Sequence, residues 1–331
     1  MTHSEHLFAP YIRILGKGRK GSRSLTQEEA FDAMSLILDN QVEELQLGAF
    51  LMLLRVKEET PEELAGFIQA ARDVIAITPP ATTIDLDWSS YAGKRRHLPW
   101  FLLAVRLLTD NGVTVFMHGA KGHTEGRIYT QELLHAVGLP EANSLEQAQQ
   151  QLTQNRFSYL SLEYFCPKLA DIINLRPILG LRSPVHTLAR MLNPFSATAS
   201  IQGIFHPSYR PTHQEAALIL NDPHVAVIKG EGGEIERNPD VPCLVQSVHH
   251  SQRFDEQWPA LFSKRHRKPD TLDPQQLADL WQGAFSDEYA EATIIGTTAI
   301  TLKVIGLASS QSDAENKAKT WWENRKEVMI T

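Results

Sequence analysis

The side chains best equipped for chemistry in this sequence are cations, and they come in groups. Arg13, Lys17, Arg19, Lys20 and Arg23 fall within eleven residues of YIRILGKGRKGSR (11–23), a stretch with no acid. Gly16, Gly18 and Gly21 leave backbone N–H groups open to an anion, and Ser22 and Ser24 add hydroxyl donors. A second run, Lys94, Arg95, Arg96 and His97, follows Gly93 and precedes the apolar pattern LPWFLLAVRLL (98–108). Cations at a helix N-terminus meet its partial positive charge, a placement easier to explain if an anion binds there. Lys121, His123 and Arg127 form a looser third group, and Lys264, Arg265, His266, Arg267 and Lys268 a contiguous fourth. The chemistry open to such groups is ion pairing with phosphate oxygens, which positions nucleic acid without reading its sequence. No zinc-finger spacing and no evident helix-turn-helix accompanies them. The bland alternatives are a solvated basic loop for 11–23 and a solvated surface for 264–268. Trp88 and Tyr91, just before the second run, have ring faces on which bases can stack, although core packing is the simpler reading of Trp88.

The acids are less suggestive. Magnesium bridging a diphosphate wants neighbouring carboxylates. In GEGGEIE (230–236) Glu234 and Glu236 are separated by Ile235, so they are weak metal candidates, and no metal or cofactor is expected. His249 and His250 have no Cys or Asp nearby to complete a metal set. Cys166 and Cys243 are far apart and read as two reduced thiols.

The elements that must hold these residues are of two kinds. The first 78 residues read as helices: Thr26 and Glu29 form a capping box, and Thr60-Pro61-Glu62-Glu63 is a second start signal. QLGAFLMLLRV (46–56) is apolar nearly all round, which predicts burial on most sides or a subunit contact. Thr78-Pro79-Pro80 stops the helical run. Beyond residue 81, strands at 82–87, 113–117, 157–162, 199–205, 224–229 and 242–248 alternate with helical patterns, which predicts a mostly parallel sheet covered by helices. Residues 251–273 read as a polar surface excursion.

At 331 residues and 42% hydrophobic the chain is long enough for one large domain or two smaller ones. A net charge of −7 does not by itself suggest a nucleic-acid partner, but it says nothing about how the cations are distributed. No run is apolar enough to span a membrane and no leader pattern opens the chain, so a cytoplasmic location without membrane partners is expected.

The order of these pieces resembles the anthranilate phosphoribosyltransferase family. LDNQVEELQLGAFLMLLRVKEETPEELAGFIQAARD (38–73), HGAKGHTEGRIYTQELLHAVGL (118–139), LGLRSPVHTLARMLNPF (179–195), GIFHPSY (203–209) and VIKGEGGEIE (227–236) all fall in its order. The resemblance implies an α/β protein: a small all-helical domain (1–80, joined by helices near 168–193) that dimerises, and a larger α/β domain (81–167 and 194–331) with a mostly parallel central sheet. The family's diphosphate loop is Gly-Thr-Gly-Gly-Asp, and here the matching positions are Trp88, Ser89, Ser90, Tyr91 and Ala92, which should fill the cradle. The family's Asn-Arg after His-Gly becomes Ala120-Lys121, and its Asp-Glu metal pair falls on Glu234-Ile235. Arg182 matches the arginine that meets the anthranilate carboxylate, with phosphate binding or helix capping as its alternative role. A subgroup of the family with loops altered in this way is associated with sequence-independent nucleic-acid binding.

The expectation is therefore a homodimer that binds single- and double-stranded DNA and RNA through the phosphate backbone, with the four cation groups and Arg182 along basic grooves. The competing expectation is a magnesium-dependent phosphoribosyl- or glycosyltransferase with an unidentified acceptor, in which Lys94, Ser89 and Lys121 hold diphosphate.

Overall fold

The computed structural model describes residues 4–18, 20–75, 77, 82–122 and 124–325. Arg19, His123 and the Thr78-Pro79-Pro80 stop lie outside them.

Four helices open the chain: α1 (Ala9–Gly16), α2 (Gln27–Leu38), α3 (Glu44–Lys57) and α4 (Pro61–Ile75). The local signals form as their residue types dictate. Thr26 Oγ1 accepts from Glu29 N at 3.1 Å while Glu29 Oε2 accepts from Thr26 N at 2.9 Å, closing the capping box on α2. Glu63 does the same for Thr60 at the start of α4 and, wholly buried, also accepts from Leu25 N and Lys57 Nζ.

There follow β1 (Leu86–Ser90), α5 (Phe101–Asp110), β2 (Val115–Gly119), β3 (Glu141–Ala142), α6 (Leu145–Asn155) and β4 (Phe157–Ser161). Next come α7 (Pro167–Asn174), α8 (Arg176–Leu179), α9 (Val185–Leu188), β5 (Ala199–Ile204), α10 (Tyr209–Ile219) and β6 (His224–Lys229). The chain ends with β7 (Cys243–His249), β8 (Gln252–Trp258), α11 (Gln275–Trp281), α12 (Glu288–Val304) and α13 (Gln311–Glu323). The strands form one sheet in the order β3-β4-β2-β1-β5-β6-β7-β8. Pairing is parallel from β3 to β6, then antiparallel through β7 and β8.

Alternate strand residues feed two cores, as the two-residue period of a strand requires. Leu86, Trp88, Val115 and Met117 pack with α5, α11, α12 and α13 on one face. Phe116 and Leu160 pack on the other, in a core shared with α1 to α4, α7 and α9. Both cysteines are free and buried, and no helix among the described residues is long and apolar enough to cross a membrane.

Three expectations need correction. β1 runs to Ser90 rather than ending at Asp87, so Trp88, Ser89 and Ser90 are strand, not loop. The following helix begins at Phe101, beyond Pro99, rather than at Leu98. Part of the excursion is β8, an edge strand whose largely exposed QRFDEQW lacks an apolar run for pattern reading to find.

Candidate functional site

In a parallel sheet the loops that leave the carboxyl ends of the strands gather on one edge. Here those loops follow β1, β2, β5 and β6. Between them and the 264–268 segment lies a cleft of about 1290 Å³, lined among others by Arg95, Arg96, Arg127, Lys229, Arg265 and Lys268. The second and fourth cation groups, 170 residues apart in sequence, thus meet across one cavity.

The loop after β1 is closed by an internal anion. Glu234 is fully buried, and its Oε1 accepts from Ala92 N at 2.6 Å and Gly93 N at 2.7 Å, while Oε2 accepts from Ser90 Oγ at 2.8 Å. Gly232 and Gly233 (φ +68° and +98°) supply the left-handed turn that delivers the carboxylate, a conformation a Cβ would strain. The cradle is filled, as expected, but by a glutamate rather than by aromatic bulk. Trp88 instead stacks on Phe101 in the core, with centroids 6.1 Å apart. Tyr91 is equally buried and hydrogen-bonds His118 Nδ1 at 2.7 Å; His118 in turn lies 3.2 Å from Asp87. Burial raises the Tyr91 hydroxyl well above its ordinary value. Neither ring is open to a base. Ser89 is buried, and its hydroxyl has no hydrogen-bond partner among the described residues.

Lys94 is the clearest correction among the cations. It is 1% exposed, its ammonium bonded to Glu236 and 3.0 Å from Glu231 Oε2. Burial alone would lower its proton affinity; Glu236 and Glu231 outweigh that and hold it charged. Glu236 also accepts from Phe101 N at 2.9 Å, and Glu231 from Arg96 N at 2.6 Å and Arg95 N at 3.1 Å. The helix N-terminus that should have called for a bound anion thus has an internal one. With their oxygens taken up in this way, Glu234 and Glu236 do not fit a magnesium–diphosphate pair. No group of three or more His, Cys, Asp or Glu among the described residues is placed to hold a metal.

The other cations divide by partner. Arg13 pairs with Glu5, Arg23 with Glu29, Lys121 with Glu163 and Arg267 with Asp270. Lys17 and Lys20 are exposed without ion pairs among the described residues, and so is Lys264, which does not line the cleft. His97 stacks on Tyr289, centroids 4.5 Å apart; burial first, then Lys94, lowers its affinity for a proton. Arg127 donates from Nη1 to Ala92 O and Gly93 O, both at 3.0 Å, and so clamps the loop. Arg182 is half-buried beside like charges. Burial first, then Arg190 and Arg127, pushes its guanidinium down to about 10. Arg95, Arg96, Lys229, Arg265 and Lys268 are exposed side chains that make no ion pair among the described residues.

Sequence reading missed Lys229, Arg210 and Phe205, all in the cleft lining. Their signal was positional. Lys229 is the last residue of β6, Phe205 the first after β5, and Arg210 lies in the first turn of α10.

A model of the glycosyl transferase family, helical bundle domain, matches residues 9–74. An Escherichia coli (strain K12) protein, named as uncharacterized protein YbiB, is 28% identical over 69% of this chain and 72% of its own. A protein of Aquifex aeolicus, named only as uncharacterized, is 30% identical over 68% of each. The chain belongs to the anthranilate phosphoribosyltransferase-like family, in its YbiB-type branch. The solved anthranilate phosphoribosyltransferase of Saccharomyces cerevisiae, in complex with PRPP and Mg, has the same fold. It superposes with a TM-score of 0.76 over 97% of this chain and 94% of its own, at 18% identity. This phosphoribosyltransferase-like chain therefore keeps its family's scaffold while an internal carboxylate sits in the loop after β1.

Proposed function

We propose that the protein binds nucleic acid through the phosphate backbone, without regard to sequence, using the cleft at the carboxyl edge of the sheet. The observation that carries this reading is the imbalance of partners there. Arg95, Arg96, Lys229, Arg265 and Lys268 have no acid among the described residues. The acids in the lining are engaged: Glu231 and Glu236 with Lys94, and Asp240 with His266. A concentration of unpaired cations in a protein of net charge −7 calls for an anionic ligand. DNA and RNA, single- or double-stranded, all offer the phosphates. Arg13, Lys17, Lys20 and Arg23 of the first basic loop do not line this cleft.

A homodimer belongs to the same reading. On α3, Leu45, Ala49, Met52 and Val56 form one stripe at helical spacing, with Leu45 90% and Val56 84% exposed. Apolar exposure on that scale in a folded helix suits a second copy of the chain. Two clefts on one particle would tighten binding by effective concentration.

The test is fluorescence anisotropy of labelled single-stranded and duplex oligonucleotides across a salt series. Wild type should bind with a steep salt dependence. The triple variant Arg95→Ala, Arg96→Ala, Lys229→Ala should lower the slope of log K against log salt by about 0.7 per lost phosphate contact on single strands and about 0.9 on duplex. No binding at moderate salt would overturn the proposal. The second reading, a transferase acting on PRPP with magnesium, is favoured by the yeast enzyme of the same fold. It is opposed by the engagement of Glu234, Glu236 and Lys94 and the burial of Ser89. A rise in Tm with phosphoribosyl diphosphate only when magnesium is present would favour it.

A further inference from the structure

Phe205 is the first residue beyond β5, a strand buried along its whole length, and its side chain is 52% exposed. It is, among the described residues, the one exposed large apolar side chain that lines the cleft. Its ring is perpendicular to that of His206, centroids 4.7 Å apart and planes at 83°, so this neighbour covers at most one of its two faces. Arg210 and Lys229 stand in the same lining, and the chain end of β6 is tied to that of β5 by Gly230 N donating to Ile204 O at 3.0 Å. Phe205 and Lys229 are thereby held at the ends of two paired strands, and Arg210 in the first turn of α10, where its Nη1 donates to Leu244 O at 2.9 Å.

A half-exposed aromatic ring beside Lys229 and Arg210, which make no ion pair among the described residues, matches a ligand with a flat apolar ring next to a phosphate. Unpaired bases are such rings, and stacking tolerates all of them because each has a π face. In a duplex both faces of an internal base are already stacked, so the duplex has phosphates to offer but no free face. We infer that the cleft takes single-stranded nucleic acid, with one unpaired base stacked on Phe205 and the adjoining phosphates on Arg210 and Lys229. This rests on the proposed function and goes further, because backbone contact alone gives no preference between strand forms.

Three labelled probes of equal length separate the possibilities: a single strand, its duplex, and an abasic single strand that keeps the phosphates and lacks the bases. Phe205→Ala should weaken binding of the single strand about 5- to 150-fold, the range of one stacked base. It should leave the duplex, the abasic strand and the salt slope unchanged, and Phe205→Trp should restore the single strand. Because the ring is exposed, Phe205→Ala should melt as wild type does, which the thermal scan confirms before binding is measured. Equal affinity of wild type for all three probes, or no effect of Phe205→Ala on the single strand, would overturn this inference and leave backbone binding standing. Failure of wild type to bind any probe would sink both.

Discussion

Lys94 and Arg95 are neighbours in sequence with opposite fates. Arg95 is exposed with no ion pair among the described residues, whereas Lys94 is enclosed by Glu231 and Glu236. Breaking a buried pair by removing one partner leaves an uncompensated charge and costs about 3–5 kcal/mol. Lys94→Met should therefore lower stability by that order in chemical denaturation while leaving the salt slope of binding unchanged. Arg95→Ala should do the reverse, with stability held within about 0.5 kcal/mol. Glu234 makes a similar case. Glu234→Ala leaves the N–H groups of Ala92 and Gly93 without their acceptor, while Ser90 Oγ keeps Thr130 Oγ1 at 2.7 Å, and each orphaned group costs about 1–3 kcal/mol. A fall in unfolding free energy of at least about 2 kcal/mol is expected; an unchanged denaturation midpoint would mean that the nest is not held by this carboxylate.

The 259–273 segment shows what one element can do that no single residue does. It brings Arg265 and Lys268 to the cleft and is fastened by His266, whose Nδ1 lies 2.6 Å from Asp240 and Nε2 2.9 Å from Glu288. The bonds to Asp240 and then Glu288 raise the imidazole above its ordinary value of 6.5. A histidine whose folded value is raised contributes its stabilisation fully below its unfolded value and loses it as pH rises through the folded one. The backbone N–H of His266, bonded to Asp240 Oδ2 at 2.9 Å, should then be more protected from hydrogen exchange at pH 6 than at pH 8.5, after correction for intrinsic rates. His266→Gln should remove the difference. Equal protection at both pH values in wild type would mean the segment is fastened by something else.

At the scale of the molecule, the two cores place the cleft and the α3 stripe on different elements, so binding and self-association can be separated. Changing Leu45 and Val56 together to Glu should yield a monomer in sedimentation velocity, with the thermal transition retained because both side chains are exposed. The monomer should still bind a short oligonucleotide with the wild-type salt slope, and should lose affinity only for probes long enough to reach two clefts. A wild type that already sediments as a monomer would remove the dimer from the reading.

Much of the fold was legible because it is written in periodicity and capping chemistry. The alternation of strands and helices predicted the mostly parallel sheet, and Thr26 and Glu29 announced α2 before any packing was known. The boundaries around β1 were less legible, because Ser89 and Ser90 are strand residues by virtue of pairing with β2, not of their own propensities. The sequence by itself determined that cations are concentrated in a few segments and that the family's glycines are absent from 88–92. It did not determine which of those cations are free. Ion pairing depends on which acids lie within a few ångströms, and Lys94 meets acids 137 and 142 residues away, brought there only by the closing of β1 on β5 and β6. The same closure puts Arg96 and Arg265 around one cavity. Charge type is a property of the residue; whether the charge is available to a ligand is decided by the distances and burial that the tertiary structure sets.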